Sequence, residues 1–390
     1  MDAKEFLMIP GPTPVPDSVL ASLAAHPLGH RTKEFSKIFM GVTNSLKKLA
    51  QAEEEDCFVL TSSGTGAMEA AISNTLSSGD QVLSLICGVF GERWAKISEA
   101  FGMKVERMKV EAGQPVQLED LRKRLMDDKA KQIKAVTITH NETSTGVIND
   151  LQQLVLAVRE HGALCIVDAV TSFGAVPIAF SAWGIDVLVS GSQKALMLPP
   201  GLGVIFFSKR AWEAYEKSTI PKFYFDLGKA RKSLDQETTP FTPNVSLIAS
   251  LKTSLDMIQA EGMTSIAARH ERMKRALRAG LIGMGLKPLV AELHASPTIT
   301  ACNPPAAISV DQIRRLMNER YQIRLADGQE ELKSKIFRIG HMGYVFERDI
   351  LMTLATLEVC LTTLGHRCPS GIGVGSAITE LTSTSSMLSK

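Results

Sequence analysis

Short apolar runs recur at strand length between residues 57 and 208: CFVL from Cys57, QVLSLI from Gln81, AVTIT from Ala135, LCIVDAV from Leu164, DVLVSGS from Asp186 and GVIFFS from Gly203. Stretches of helical period separate them, among them 66–76, 92–102 and 151–161. Strands that are apolar throughout, instead of alternating, are covered on both faces. Strand alternating with helix in this way is the pattern of an α/β domain around a mainly parallel sheet flanked by helices. Ligands of such sheets gather outside the carboxyl ends of the strands, so the residues just past each run are where chemistry is expected.

The flanking segments suggest how the chain divides. IPGPTPVP, 9–16, is too rich in proline for a helix and reads as an extended N-terminal arm over 1–20. The large domain is expected over 21–260 and ends in a helix from about 244 to 260. After the break at EGMTS come a basic helix, ERMKRALRAGLIGMG, strands at TITAC and IFRIG, and helices near 311–319 and 349–364. These make a smaller C-terminal α+β domain over 261–366. The tail, 367–390, is rich in Gly, Ser and Thr and reads as frayed or disordered; its GIGVG does not follow a strand and has the wrong spacing for a dinucleotide fingerprint.

A chain of 390 residues with 45% apolar content is long enough to bury two such cores. Its 43 basic and 41 acidic residues leave a formal +2, which gives no bulk-charge reason to bind nucleic acid or a membrane surface. The 6 cysteines form no CxxC pair and no metal-ligand spacing, and His140, His294 and His341 show none either, so reduced thiols and no metal are expected. No apolar stretch has membrane-spanning length and no secretory pattern opens the chain. Leu388, Ser389 and Lys390 hold the letters of a peroxisomal tripeptide in the wrong order, which leaves the cytoplasm as the expected compartment.

Three strand ends stand out. TSSGTGAMEAAISN, 61–74, leaves a strand and turns directly into a helix, so hydroxyls and free N–H groups at Ser63, Gly64 and Thr65 face either an anion or simply the helix they cap. No GK[ST] follows, which disfavours a nucleotide-binding loop of that kind. Asp168 ends LCIVD, where a carboxylate caps the next turn or meets a ligand's N–H. Lys194 lies just past DVLVSGS with no acid in its own stretch. A phosphate cradle, a strand-end acid and a strand-end lysine, in this order, match the three demands of pyridoxal 5'-phosphate: donors for the phosphate, an acid for the ring nitrogen and an amine for the aldehyde.

PGPTPVP, GHRTKEF, SSGTGAMEA, NETSTGV, VDAVTSFG, SGSQKALMLPPGLG and RIGHMG occur in that order. Through them the chain, over about residues 7 to 365, resembles the class V, fold-type I pyridoxal-phosphate aminotransferases, specifically the alanine–glyoxylate / serine–pyruvate group. The resemblance implies that Lys194 forms the Schiff base and carries the proton between Cα and the cofactor's C4′, and that Asp168 pairs with the pyridinium nitrogen. It implies that Val170 packs on the ring, that Phe90 stacks where the family often has tryptophan, and that Thr143 sits near the phenolic oxygen. Ser63, Gly64 and Thr65 would hold the phosphate with Gln193. Thr239 or Thr242, in TTPFTPN, would complete the phosphate site of the other subunit of a homodimer. Arg338 would grip the substrate carboxylate.

The activity so implied is transfer of an amino group from alanine or serine to glyoxylate or pyruvate by a ping-pong mechanism. Alternatives on the same fold are 2-aminoethylphosphonate or ureidoglycine as donor, or a lyase or desulfurase. A subunit that has lost its chemistry would not be expected to retain Lys194, Asp168 and Arg338 together. His30 and Arg31 lie in a loop resembling the site's entrance. Cys302, considered against the desulfurase nucleophile, falls in the apolar run TITAC and reads as a buried, inert thiol.

Overall fold

The computed structural model describes residues 5–385. Seven strands form the central sheet: β1 (Asp56–Thr61), β2 (Gln81–Ile86), β3 (Lys104–Lys109), β4 (Ile133–Thr139), β5 (Leu164–Asp168), β6 (Val187–Gly191) and β7 (Leu202–Phe207). Their spatial order is β1-β7-β6-β5-β4-β2-β3, parallel throughout except that β7 runs antiparallel to both of its neighbours. The apolar runs all fall in this sheet; β6 and β7 are buried at every position. The edge strand β3, KVERMK, is half exposed and carries alternating charge, so it lacks the continuous apolar signal of its neighbours.

Helices α1 (Lys33–Ala50), α2 (Gly64–Thr75), α3 (Val89–Ala100), α4 (Leu151–His161) and α5 (Val245–Glu261) cover the sheet. Leu46 of α1, Leu154 and Val158 of α4 and Leu251 of α5 share one core with Val136, Leu188 and Val204. Met68 and Ile72 of α2 and Trp94 of α3 share the core of the opposite face with Val82, Val189 and Ile205. Thr32 starts α1 by accepting from Phe35 N, and Asn244 starts α5 by accepting from Leu247 N; both caps satisfy N–H groups that a helix cannot satisfy internally.

After Gly262 the chain builds a second body with its own core: α6 (Met263–Gly283), strands β8 (Lys287–Pro288) and β9 (Ile299–Asn303), α7 (Val310–Tyr321), strands β10 (Ala326–Asp327) and β11 (Phe337–Gly340), and α8 (Glu347–Thr363). The strands order as β8-β9-β11-β10, all antiparallel. The tail corrects the sequence reading. Ile372–Ser385 forms a helix, α9, packed on α6 and α8, and its Ala377 is fully buried. Glycine is what permits the packing: a Cβ on Gly280 of α6 would lie 2.7 Å from the carbonyl oxygen of Gly373. Glu358 of α8 accepts from Gly373 N at 2.8 Å and ties the start of α9 down. Leu388, Ser389 and Lys390 lie outside the described residues.

The proline-rich arm is extended as its composition requires and crosses both bodies. Phe6–Leu7 pairs in parallel with Ile323–Arg324, Met8 O accepts from Gly340 N, and Thr13 N donates to Gln193 O. From Asp17 the arm turns into a helix that ends at Leu23.

Candidate active site

Parallel neighbours β5 and β6 end at the same edge of the sheet, so Asp168 closes one strand while Lys194 follows the next by three residues. Asp168 is 4% exposed and its Oδ1 accepts from Val170 N at 2.7 Å. Burial pushes its carboxyl up to about 7, with Glu142 adding to the rise and the Val170 N–H, Arg93 and Lys194 opposing it. Lys194 is buried and its Nζ donates to the carbonyl oxygen of Pro10 at 2.7 Å. Desolvation lowers the ammonium to about 8; Asp168 resists the fall while Arg338 and Arg93 add to it. Gly11 makes room for the lysine, since a Cβ there would sit 2.6 Å from Nζ.

Beside this pair β1 runs into α2. Ser63 stands at the N-cap with extended backbone and no side-chain cap bond, so its hydroxyl is not spent on the helix. The N–H groups of Gly64 and Thr65 at the start of α2 have no intrahelical acceptor, whereas Gly66 N already donates to Ser63 O at 3.0 Å. Thr65 Oγ1 accepts from Arg93 Nη1 at 3.1 Å. Gln193 reaches the same corner: a Cβ on Gly191 would lie 2.9 Å from Gln193 Oε1 and 3.5 Å from Gly64 N. That amide oxygen is buried without a hydrogen-bond partner among the described residues. Val170 closes the corner, 3.1 Å from where a Gly64 Cβ would stand.

Facing these groups are Phe90, Thr143 and Arg338. Phe90 opens α3, and its N–H donates to Glu142 Oε2 at 3.1 Å; the Arg93 guanidinium lies 4.6 Å from its ring centroid. Thr143 is buried and bonded to Thr171 Oγ1 at 3.1 Å. Arg338, on β11 of the second body, is 6% exposed, and burial lowers it to about 10. Its Nε donates to Asp327 O at 2.7 Å, and its Nη1 to Thr143 O and Gln329 Oε1, each at 3.0 Å. Phe90, Thr143, Lys194 and Arg338 line one cavity of about 360 Å3 between the two bodies, with Gly11 and Gln329.

Thr239 and Thr242 do not reach this cavity. They line a separate hollow with Thr61, Tyr224 and Phe241. Thr239 Oγ1 donates to Phe241 O at 2.8 Å, Thr242 Oγ1 lies 3.4 Å from His30 Nε2, and Arg31 joins Thr239 O at 2.5 Å. GHRT and TTPFTPN therefore meet at a hollow distinct from the cavity that holds the same chain's Lys194. Cys302 is buried in β9 with its thiol pushed up to about 12.

Sequence reading missed several contributors. Glu142 is fully buried; it accepts from Phe90 N and Gly91 N at 3.1 Å and from Ser144 N at 3.0 Å, and so fixes the start of α3 from across the site. Its place in NETSTG is the one signal that could have flagged it. Arg93, Gln329 and the carbonyl of Pro10 carry no signal, because their roles depend on long-range contacts.

The donor set fits pyridoxal 5'-phosphate. N–H groups at the start of α2 and the uncommitted Ser63 hydroxyl suit a phosphate, and Gln193 would add a donor through its amide Nε2, its unpartnered Oε1 being an acceptor. Asp168 keeps a second carboxylate oxygen beyond the one bonded to Val170, and Lys194 presents an amine past the end of the neighbouring strand. Comparison with known proteins agrees. The family described as Aminotransferase class-V matches residues 6–333. The chain is 52% identical to the soluble hydrogenase 42 kDa subunit of Anabaena cylindrica, over 97% of this chain and 98% of that protein. It is 35% identical to serine–glyoxylate aminotransferase of Arabidopsis thaliana, over 97% and 95%. The ureidoglycine–glyoxylate aminotransferase structure from Bacillus subtilis superposes with a TM-score of 0.93 at 27% identity, covering 97% of this chain and 98% of the other. Among the described residues no helix is long and apolar enough to cross a membrane.

Proposed function

The chain belongs to the class V aminotransferases, pyridoxal-phosphate enzymes of fold type I, and from that premise we propose that it moves an amino group from alanine or serine to glyoxylate or pyruvate in two half-reactions. The observation that carries the reading is the single cavity shared by Lys194 and Arg338, an amine from the large body and a carboxylate anchor from the small one. Glyoxylate as acceptor draws support from the names of the Arabidopsis relative and the Bacillus structure. The latter also keeps ureidoglycine as the alternative donor.

When bound, the cofactor supplies an aldehyde for the substrate amine and an electron sink for the Cα–H bond. The residues around it divide the remaining work. Ser63, Gly64, Thr65 and Gln193 would hold the phosphate with neutral donors and the positive end of α2. Asp168, buried and partnered by Val170 N, is poised to accept from a pyridine N–H, and the ion pair so formed would reverse the rise that burial imposes on its carboxyl. Val170 and Phe90 would pack against the ring, and Thr143 would offer a hydroxyl to its phenolic oxygen.

Lys194 Nζ, lowered to about 8, is the free amine in about a tenth of molecules at pH 7, far more than an ordinary lysine, and can take a proton from Cα and return it. Arg338 orients the substrate so that this proton faces Nζ. Thr239 and Thr242, which line a hollow separate from the cavity of their own Lys194, would serve the phosphate of a partner subunit, in which case the active form is a homodimer.

The Anabaena relative's name raises a second reading, a subunit of a redox assembly. The cavity shared by Lys194 and Arg338, with Asp168 at the end of the neighbouring strand, favours transamination. Visible spectra decide. Protein supplied with pyridoxal phosphate should absorb in the visible, change its spectrum with alanine or serine, and recover with glyoxylate, whereas Lys194→Ala should hold the cofactor without turnover. Colourless wild-type protein, or a spectrum that no amino donor changes, overturns the proposal.

A further inference from the structure

We propose that Gln329 is a positioning residue for the substrate carboxylate, acting through Arg338 and effective because it is uncharged. The inference rests on the reading of Arg338 as the carboxylate anchor. A guanidinium as buried as that of Arg338 ordinarily pairs with a carboxylate, which offsets the cost of removing its charge from water. Here every bonded partner is a neutral oxygen: the carbonyls of Asp327 and Thr143 and the amide Oε1 of Gln329.

The two acids near Arg338 are committed elsewhere. Asp327 offers Arg338 its carbonyl while its carboxylate accepts from Ser334 N at 2.9 Å and lies 3.9 Å from Arg314. Glu142 is held by the N–H groups of Phe90, Gly91 and Ser144. The guanidinium is therefore oriented by three bonds yet keeps its charge for an anion entering the cavity beside Lys194. This arrangement favours a carboxylate over a neutral group of the same shape.

Of the three acceptors, only Gln329 is a side chain, so only there can substitution change the charge of the cradle. Its backbone is fixed by a short turn in which Leu332 N donates to Gln329 O at 3.0 Å and Gly328 N donates to Ile336 O at 3.0 Å. A glutamate at 329 would keep the shape and place a permanent counterion on Nη1, in competition with the substrate.

The test uses the pyridoxal-phosphate-loaded enzyme and two probes, propionate and propionamide, with binding measured by titration calorimetry so that turnover is not required. Gln329→Glu should weaken propionate about 10-fold or more, and Gln329→Ala by less, while propionamide affinity and melting temperature stay close to wild type. With amino acid substrates the same variants should raise KM far more than they lower kcat. Gln329 is half-buried, so neither substitution threatens the fold. Arg338→Ala serves as the reference. If it abolishes propionate binding while Gln329→Glu stays within about twofold of wild type, the role given to Gln329 is wrong and the anchor stands. If Arg338→Ala itself leaves propionate bound, the anchor falls and the inference with it.

Discussion

Asp168→Asn separates what the site does to the protein from what it does for the cofactor. In the cofactor-free chain, burial holds the Asp168 carboxyl at about 7 against an ordinary 3.8. The folded state therefore binds this proton more tightly than the unfolded chain. Below about pH 4 both states are protonated and no penalty exists; the penalty grows as pH rises through the window and is complete above about 7. The gap corresponds to about 4 kcal/mol at most. Asparagine keeps the bond from Val170 N through its Oδ1 but brings a buried amide N–H pair that costs about 1–3 kcal/mol. The net expectation is a variant more stable than wild type by about 1–3 kcal/mol near pH 8, with the advantage gone near pH 4.5. Once pyridoxal phosphate is bound, the ring N–H gives Asp168 its counter-charge and the order reverses, so the variant should retain cofactor less well. Urea unfolding of stripped and loaded protein at both pH values measures all four differences. A difference between variant and wild type that does not change with pH in the stripped protein would refute the claim that Asp168 carries an unfavourably buried charge.

Two further substitutions probe the supports of the site. Glu142→Ala leaves the N–H groups of Phe90, Gly91 and Ser144 without an acceptor in the interior, and should destabilise the protein by about 3–5 kcal/mol in chemical denaturation, with Glu142→Gln losing less. Gly11→Ala puts a methyl 2.6 Å from Lys194 Nζ and 2.8 Å from its Cδ, at a backbone φ of 144° that favours glycine. The backbone strain should lower the melting temperature, and displacement of the movable end of Lys194 should lower kcat about 10- to 100-fold at temperatures where the variant is still folded; a destabilised variant with kcat unchanged would count against a displaced lysine.

The α/β architecture was legible because strands buried on both faces leave unbroken apolar runs, and Lys194 and Asp168 were legible because such strands deliver their last residues to one edge. The same logic explains what was not legible. β3 lies at the sheet's edge, where half of each side chain meets water and the run dissolves into KVERMK. The C-terminal tail was misread because glycine content was taken as flexibility, whereas Gly280 and Gly373 are the reason two helices can touch. Composition reports what a segment could do in isolation; the partner surface decides what it does.

The site divides along the same line. Lysine, acid and arginine announce themselves by chemistry, since each is costly to bury without a task. Their supports do not, because a glutamine that orients an arginine is chemically ordinary until the carbonyls on its other side are known. In Arg338 the supports matter as much as the residue: had Asp327 turned its carboxylate instead of its carbonyl toward the guanidinium, the same sequence letters would have produced a neutralised pair with no charge left for a substrate. The backbone of β10 and the turn after it, and not the identity of residue 327, therefore determine whether Arg338 is a structural cation or an anchor.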